Sequence, residues 1–387
     1  MSKLRKHFLI TGSGGFFIFG FSVLIIGSAL PAIEKSLGID HQQAGLIFAT
    51  SSIGFGSSAF VNMLFSKKLG PFRSLSIGIS IVATSLFIFV FSRTFLLLLI
   101  ANALLNFGTG LIEVNAAIGV SVLKEKKNAG VLNFMHALYS LGALISPVVV
   151  SIFLLNVDDW YKPFALAAII STSLFAFSLI LFRYDVVYEP TDSPFEHWLI
   201  IKEPLFWLVI AGVFLYVGYE VSFSSWLSAY SNEIKGISLR FSSAMPSFLW
   251  LGLLIGRLLS SVLSEKIGYG KLMLMLTSMA ITFFIIMLFL KTVWIYGISI
   301  VIIGMGFSAM FPTLQATLIR HKPKYATVSA ALFTVAASAG AALVNVIIGT
   351  LGKFLDLQYG MYFILLLLMA ELIVIIFIYR KEKYETT

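Results

Sequence analysis

FLLLLIANALLNFGTGLIEVNAAIGVSV (95–122) is a spanning-length apolar run with a single charge in it, Glu113. As a helix it extends about 42 Å at 1.5 Å per residue, more than the roughly 30 Å of a bilayer's hydrocarbon core. A charged side chain near the middle of such a span costs about 2.5 to 3.5 kcal/mol on insertion scales, so a chain that carries one has a use for it. The rest of the sequence repeats the pattern. Apolar runs fall at approximately 8–31, 43–66, 72–92, 95–122, 129–155, 162–183, 204–232, 241–264, 271–290, 293–319, 325–351 and 359–379, and two more acids, Glu220 and Glu371, sit inside them. Hydrophobic residues make up 59% of the 387 and charged ones 12%, against about 25% charged in soluble domains. The chain therefore reads as an all-α integral membrane protein with twelve transmembrane helices.

The net charge of +9 comes in short basic clusters between the runs and not along one polar face, which points to the lipid bilayer and away from nucleic acid. Lys3/Arg5/Lys6, Lys67/Lys68/Arg73, Lys124/Lys126/Lys127, Arg320/Lys322/Lys324 and Arg380/Lys381/Lys383 fall on one side of the membrane. The opposite connections hold scattered cations such as Lys35, Arg93 and Lys353. By the positive-inside rule the richer side, with both termini, is cytoplasmic, and the expected location is the cell membrane. Lys3, Arg5 and Lys6 ahead of an apolar run resemble a signal peptide, but the run from Phe8 to Pro31 is too long and no small-residue cleavage site follows, so it reads as the first span. The longest polar connection, Tyr184 to Glu203, holds Pro190 and Pro194. It divides the chain into an N-terminal six-helix bundle (1–183), a cytoplasmic linker (184–203) and a C-terminal six-helix bundle (204–387). There is no Cys, hence no disulfide, thiolate metal site or thiol nucleophile.

The halves repeat each other. A shift of 198 residues lays Gly54 on Gly252, places Lys68, Gly70 and Arg73 on Lys266, Gly268 and Lys271, and puts Ser140, Gly142 and Ala143 on Ser338, Gly340 and Ala341. A shift of 196 overlays GTGLIE (108–113) on GMGFSA (304–309). Parallel repeats of this kind belong to transporters whose substrate site lies near the midplane at the repeat interface. The acids break the symmetry: Glu113 falls opposite Ala309, and Glu220 opposite Ser22.

GFGSSAF (54–60), NFGTGLIEVNA (106–116), VLNFMHALYSLGALISP (131–147), FLYVGYEVSFSSWLSAY (214–230), LGLLIGR (251–257) and GMGFSAMFP (304–312) carry a resemblance that covers essentially the whole chain. The sequence resembles the major facilitator superfamily, and within it the fucose and hexose permease-like branch of fucose:proton symporters. The resemblance implies a 6+6 pseudo-twofold fold, alternating access, a small polar solute as substrate, protons as the coupling ion and a functional monomer. One loop departs from the superfamily pattern: SKKLGPFR (66–73) has Lys67 where an aspartate is usual, while its repeat SEKIGYGK (264–271) keeps Glu265.

At 100° per residue, Asn102, Asn106, Gly110, Glu113 and Ala117 share a narrow stripe of the fourth span, with Asn115 opposite. Two amides and a carboxyl cannot face lipid, so the stripe lines a water-filled cavity or a helix interface. Glu113 is the candidate proton-coupling group, and the related permeases use an acid at this place; a structural carboxyl bonded to a neighbouring helix is the plainer alternative. In the seventh span Tyr216, Tyr219, Glu220, Phe223, Trp226, Leu227 and Tyr230 fall on one arc of about 120°. Rings beside a carboxylate suit a sugar, whose C–H face stacks while its hydroxyls find acceptors, and they suit an organic cation as well. Tyr219, Glu220, Phe223 and Trp226 are accordingly candidate substrate contacts, with helix packing as the competing explanation.

In the fifth span Asn133, His136, Ser140 and Pro147 lie on one side, and His136 is a candidate to share a proton relay with Glu113. Gln315 in the tenth span and Asn345 in the eleventh join Asn102, Asn106 and Asn133 as uncharged donors and acceptors for a hydroxyl-rich ligand. Interhelical hydrogen bonding explains each of them almost as well. Arg257, after Gly256 in the eighth span, is assigned to gating or helix anchoring. Glu371 in the last span can snorkel and receives no role.

No enzyme reading stands. GSGG (12–15) lies inside a span, no Gly-rich loop with Lys-Ser or Lys-Thr exists to cradle nucleotide phosphates, and His and acids show no metal-ligand spacing, so neither cofactor nor metal is expected. Two transporter readings remain. One is proton-coupled uptake of a hexose or related sugar; the other is proton-coupled export of drugs or metabolites. Drug antiporters carry glycines around a proline in the fifth span, whereas Pro147 here lies between Ser146 and Val148, which favours the first.

Overall fold

Lipid leaves an uninterrupted spanning segment one backbone solution, because every N–H and C=O must bond within the helix itself. The computed structural model describes residues 2–123, 128–184, 200–321 and 326–386. Its α-helices are α1 (Ser2–Leu37), α2 (His41–Phe91), α3 (Phe95–Val122), α4 (Asn128–Phe153), α5 (Lys162–Ser178), α6 (Pro204–Glu233), α7 (Leu239–Ile267), α8 (Tyr269–Phe289), α9 (Val293–Phe307), α10 (Met310–His321), α11 (Ala326–Phe354) and α12 (Leu357–Thr386). Short 3₁₀ turns at Val157–Tyr161 and Leu179–Arg183 flank α5. Among the described residues, twelve stretches are long and apolar enough to cross a membrane.

Four spans depart from the sequence expectation, each for a local reason. The first helix runs through Pro31 to Leu37 and so draws Glu34, 8% exposed, into the protein, where its Oε1 lies 2.8 Å from His41 Nδ1. The second and third spans form one run, α2, interrupted at Gly70 (φ 67°, ψ 165°) just ahead of Pro71. The tenth span divides into α9 and α10. Pro312 has no N–H to offer the Ser308 carbonyl, and its ring crowds that carbonyl, so the ladder lapses between the two pieces. Asp40 opens α2 with a reciprocal cap: its carboxylate accepts from Gln43 N at 2.8 Å, and Gln43 Oε1 accepts from Asp40 N at 3.0 Å. The expected linker (184–203) and the basic cluster Lys124/Lys126/Lys127 lie largely outside the described residues, as do Lys322 and Lys324.

The described residues group into two compact units, one drawn from Met1–Thr191 with Ser238–Ser247, the other from Asp192–Ile237 with Phe248–Thr387. In the first, α2 packs along α3, and α1 against α4 and α5. In the second, α6 lies against α10, α11 and α12, and α8 against α9 and α12.

The repeat seen in the sequence returns in the packing. Gly70 and its counterpart Gly268 both adopt left-handed backbone (φ 67° and 81°), which a residue without Cβ takes up freely. A Cβ on Gly54 would collide with the Ala103 carbonyl oxygen, and one on Gly252 with that of Val301, the residue 198 places beyond Ala103. Gly142 presses in the same way on the Phe17 carbonyl, and Gly340 on that of Phe214. With little hydrophobic drive between helices in lipid, such backbone-to-backbone approach is what holds them together.

Gly142→Ala and Gly340→Ala should each lose about 1–3 kcal/mol of stability, because the clash is with backbone that cannot swing aside. Gly56→Ala, with open space around it, should lose nothing. Thermal unfolding of the purified variants in detergent checks this, and a Gly340→Ala protein as stable as the parent would contradict it.

Candidate functional site

The three acids inside the spans occupy three different environments. Glu113 on α3 is half-buried, and no described residue hydrogen-bonds or ion-pairs with it. Its stripe changes character along the helix. Asn102, 1% exposed, donates through Nδ2 to Ile47 O at 2.6 Å and Ser51 Oγ at 2.7 Å on α2, and Asn106, 7% exposed, donates to Asn102 O at 2.9 Å. The amide end is therefore a helix interface, while the carboxyl end keeps exposed surface. Asn115, on the opposite face, is buried as well and bonds Asn62 Oδ1 at 2.8 Å.

On α4, Asn133 and His136 are exposed. The His136 ring stands edge-on to Phe16 with centroids 4.9 Å apart, and no hydrogen bond or ion pair joins it to Glu113. The shared relay anticipated from the sequence is thus not assembled as a direct contact.

The aromatic arc of α6 is core. Phe223 packs on Phe284 of α8 at 5.1 Å, and Tyr219 on Phe307 of α9 at 4.8 Å. Trp226 Nε1 donates to Asn345 Oδ1 of α11 at 3.0 Å, and Tyr230 Oη to Gln358 Oε1 of α12 at 2.9 Å. Tyr216, Tyr219, Phe223, Trp226, Tyr230 and Asn345 are all fully or almost fully buried. A helical wheel locates such an arc but does not say what it faces; here it faces the neighbouring helices of its own unit. Glu220, at the margin of the arc, is half-buried beside the Tyr216 hydroxyl, and Arg257 of α7 acts on it electrostatically. Arg257 and Gln315 are half-buried too.

Of the candidate residues, Glu113, Asn133, His136, Glu220, Arg257 and Gln315 retain exposed surface, whereas Asn102, Asn106, Tyr219, Phe223, Trp226 and Asn345 are closed off in this conformation. The open set offers carboxylates that accept hydroxyl protons, amides that both donate and accept, and one guanidinium.

Glu371 requires a correction. Its side chain does not snorkel: it is 0% exposed and accepts a hydrogen bond from Tyr219 Oη. The sequence held the signal, because Glu371 lies about 15 Å from the nearer end of its span at 1.5 Å per residue, beyond the reach of a glutamate. Glu34 was missed because it lies past the apolar run that marked the first span.

The profile of the Major Facilitator Superfamily matches residues 12–344. The glucose/mannose transporter GlcP of Bacillus subtilis (strain 168) is 25% identical over 362 residues, covering 89% of this chain and 88% of its own. Two crystal structures share the fold. That of the nucleoside transporter NupG has a TM-score of 0.78 at 14% identity, over 97% of this chain and 99% of that one. That of a variant of the E. coli fucose:proton symporter FucP has 0.65 at 16% identity, over 96% and 98%.

Asn345→Ala leaves the buried Trp226 N–H without its acceptor and should destabilise the protein by about 1–3 kcal/mol while leaving solute affinity unchanged. Thermal unfolding and equilibrium solute binding check the pair together. Unchanged unfolding with weakened binding would make Asn345 a solute contact instead.

Proposed function

This chain belongs to the Major Facilitator Superfamily, and on that premise we propose that it is a secondary active transporter that takes up a hexose or related sugar with protons by alternating access. One observation carries the coupling part of the reading: Glu113, a mid-span carboxyl with exposed surface and no bonding partner among the described residues. The sugar part is supported by the likeness over most of its length to a glucose/mannose transporter, and by an open set rich in hydroxyl-binding groups. The working unit is a monomer of two six-helix bundles, 1–183 and 204–387, joined by a cytoplasmic linker (184–203), with both termini in the cytoplasm.

The mechanism follows from the cost of charge. An ionised Glu113 resists any closure that strips it of water, since an unpaired buried charge is expensive. A proton arriving from outside removes that obstacle, so the loaded carrier can close around its solute and reopen inward. There the proton leaves and the empty carrier resets. The proton shifts the equilibrium only because it binds the two states differently. Each charge moved inward yields roughly 2.3 kcal/mol per 100 mV, or about fiftyfold accumulation of solute. Within the second unit, Glu220 and Gln315 would contact the sugar, with Arg257 holding Glu220 in place during closure.

Reconstitution in liposomes under an imposed inward proton gradient, with a screen of hexoses and with a sodium gradient as comparison, tests the reading. Accumulation of a sugar under the proton gradient alone is expected. Failure of every sugar together with gradient-driven movement of cationic dyes would sink it in favour of export. Glu113→Gln should abolish accumulation yet leave solute exchange across the membrane intact; equal loss of both would demote Glu113 to a structural or binding role.

A further inference from the structure

Coupling through Glu113 leaves the fully buried carboxyl of Glu371 unused. Glu371 lies midway along α12, enclosed by the packing of α12 against α6, α8 and α11. Its Oε2 accepts from Tyr219 Oη, while Oε1, equally buried, meets no hydrogen-bond donor among the described residues. The Tyr219 ring stands edge-on to Tyr216 with centroids 5.5 Å apart. The Tyr216 hydroxyl is a second buried polar atom without a hydrogen-bond partner, and Glu220 acts on it electrostatically. Glu220 in turn keeps exposed surface. Two carboxyls and two phenols thus cluster in the second unit, from the half-buried Glu220 to the fully buried Glu371.

The titratable groups that act on Glu371 are Tyr219, Tyr216 and Glu220, all from α6; those that act on Glu220 are Arg257 from α7 and Tyr216. The helices α8 and α11 bring no titratable group to Glu371 among the described residues. Packing gives no reason for an acid here. A buried oxygen without a partner costs about 1–3 kcal/mol even uncharged, and an uncompensated charge costs more, so an apolar side chain of similar size would serve stability better. Calcium or magnesium seeks about six or more oxygens, and this cluster is too small and too aromatic to supply them. A single proton needs only one.

We propose that Glu371 is a second proton-binding site of this carrier, exchanging with Glu220 by way of the Tyr219 and Tyr216 hydroxyls. In each exchange a hydroxyl oxygen accepts one proton on a lone pair as it passes its own to the next group, so that no electron moves and the phenols end as they began. The second unit then carries a proton apart from that of Glu113. The inference builds on the proposed proton coupling but holds whichever solute is carried.

Infrared spectroscopy of the protein in liposomes, through a pH titration without solute, reads the group directly. A protonated-carboxyl C=O band should be present in the parent, lost in Glu371→Gln and still present in Glu113→Gln. Tyr219→Phe keeps the carboxyl but removes its donor, so the same band should move to higher frequency; this variant serves if Glu371→Gln does not fold. A spectrum in which Glu371→Gln keeps every carboxyl band, or in which Tyr219→Phe moves none, overturns the inference whatever Glu113→Gln shows. Loss of transport coupling in Glu113→Gln with these bands intact bears on the other site alone.

Discussion

Every feature of this chain answers to the absence of water in the middle of a bilayer. Backbone groups must then be paired within helices, and polar side chains must find partners, an aqueous cavity or a proton. The asparagines take the first route: Asn102 and Asn106 bind α2 and each other, Asn115 binds Asn62, and Asn345 receives the Trp226 N–H. The acids do not follow them so completely. Glu113 has exposed surface and no partner among the described residues, Glu220 has a guanidinium within reach, and Glu371 has one oxygen satisfied and one not. Ionisable groups left so in the middle of a span are the places to seek function.

The two units repeat a helix framework while differing in chemistry. Glycines 198 residues apart make equivalent close approaches, so backbone spacing is shared: Gly54 with Gly252, Gly142 with Gly340, and the left-handed turns at Gly70 and Gly268. The ionisable groups are not shared. Glu113 falls opposite an alanine and Glu220 opposite a serine. A common scaffold therefore carries in the first unit a half-buried carboxyl with no partner among the described residues and in the second a carboxyl–phenol cluster, which is a physical basis for giving the two units separate tasks in one transport cycle.

The spans, the repeat and the positions of the mid-span acids were legible in the sequence, because each depends on period, length or charge along one chain. What a side chain faces depends on other helices, which periodicity along one chain does not show. The α6 arc from Tyr216 to Tyr230 looked equally suited to a sugar and to packing, and neighbours from α8, α9, α11 and α12 decide that it packs. Glu371 looked peripheral only because its position was judged by span number and not by distance from the helix end. The division of the tenth span was foreshadowed by Pro312, whose missing N–H interrupts the ladder.

The central claim is that sugar and proton move together. It is tested most directly by adding a hexose to the outside of proteoliposomes in weakly buffered medium, with no gradient imposed, and recording external pH. External alkalinisation should begin with sugar entry, scale with it and disappear in Glu113→Gln. Sugar entry at an undiminished rate with no change in external pH would contradict it.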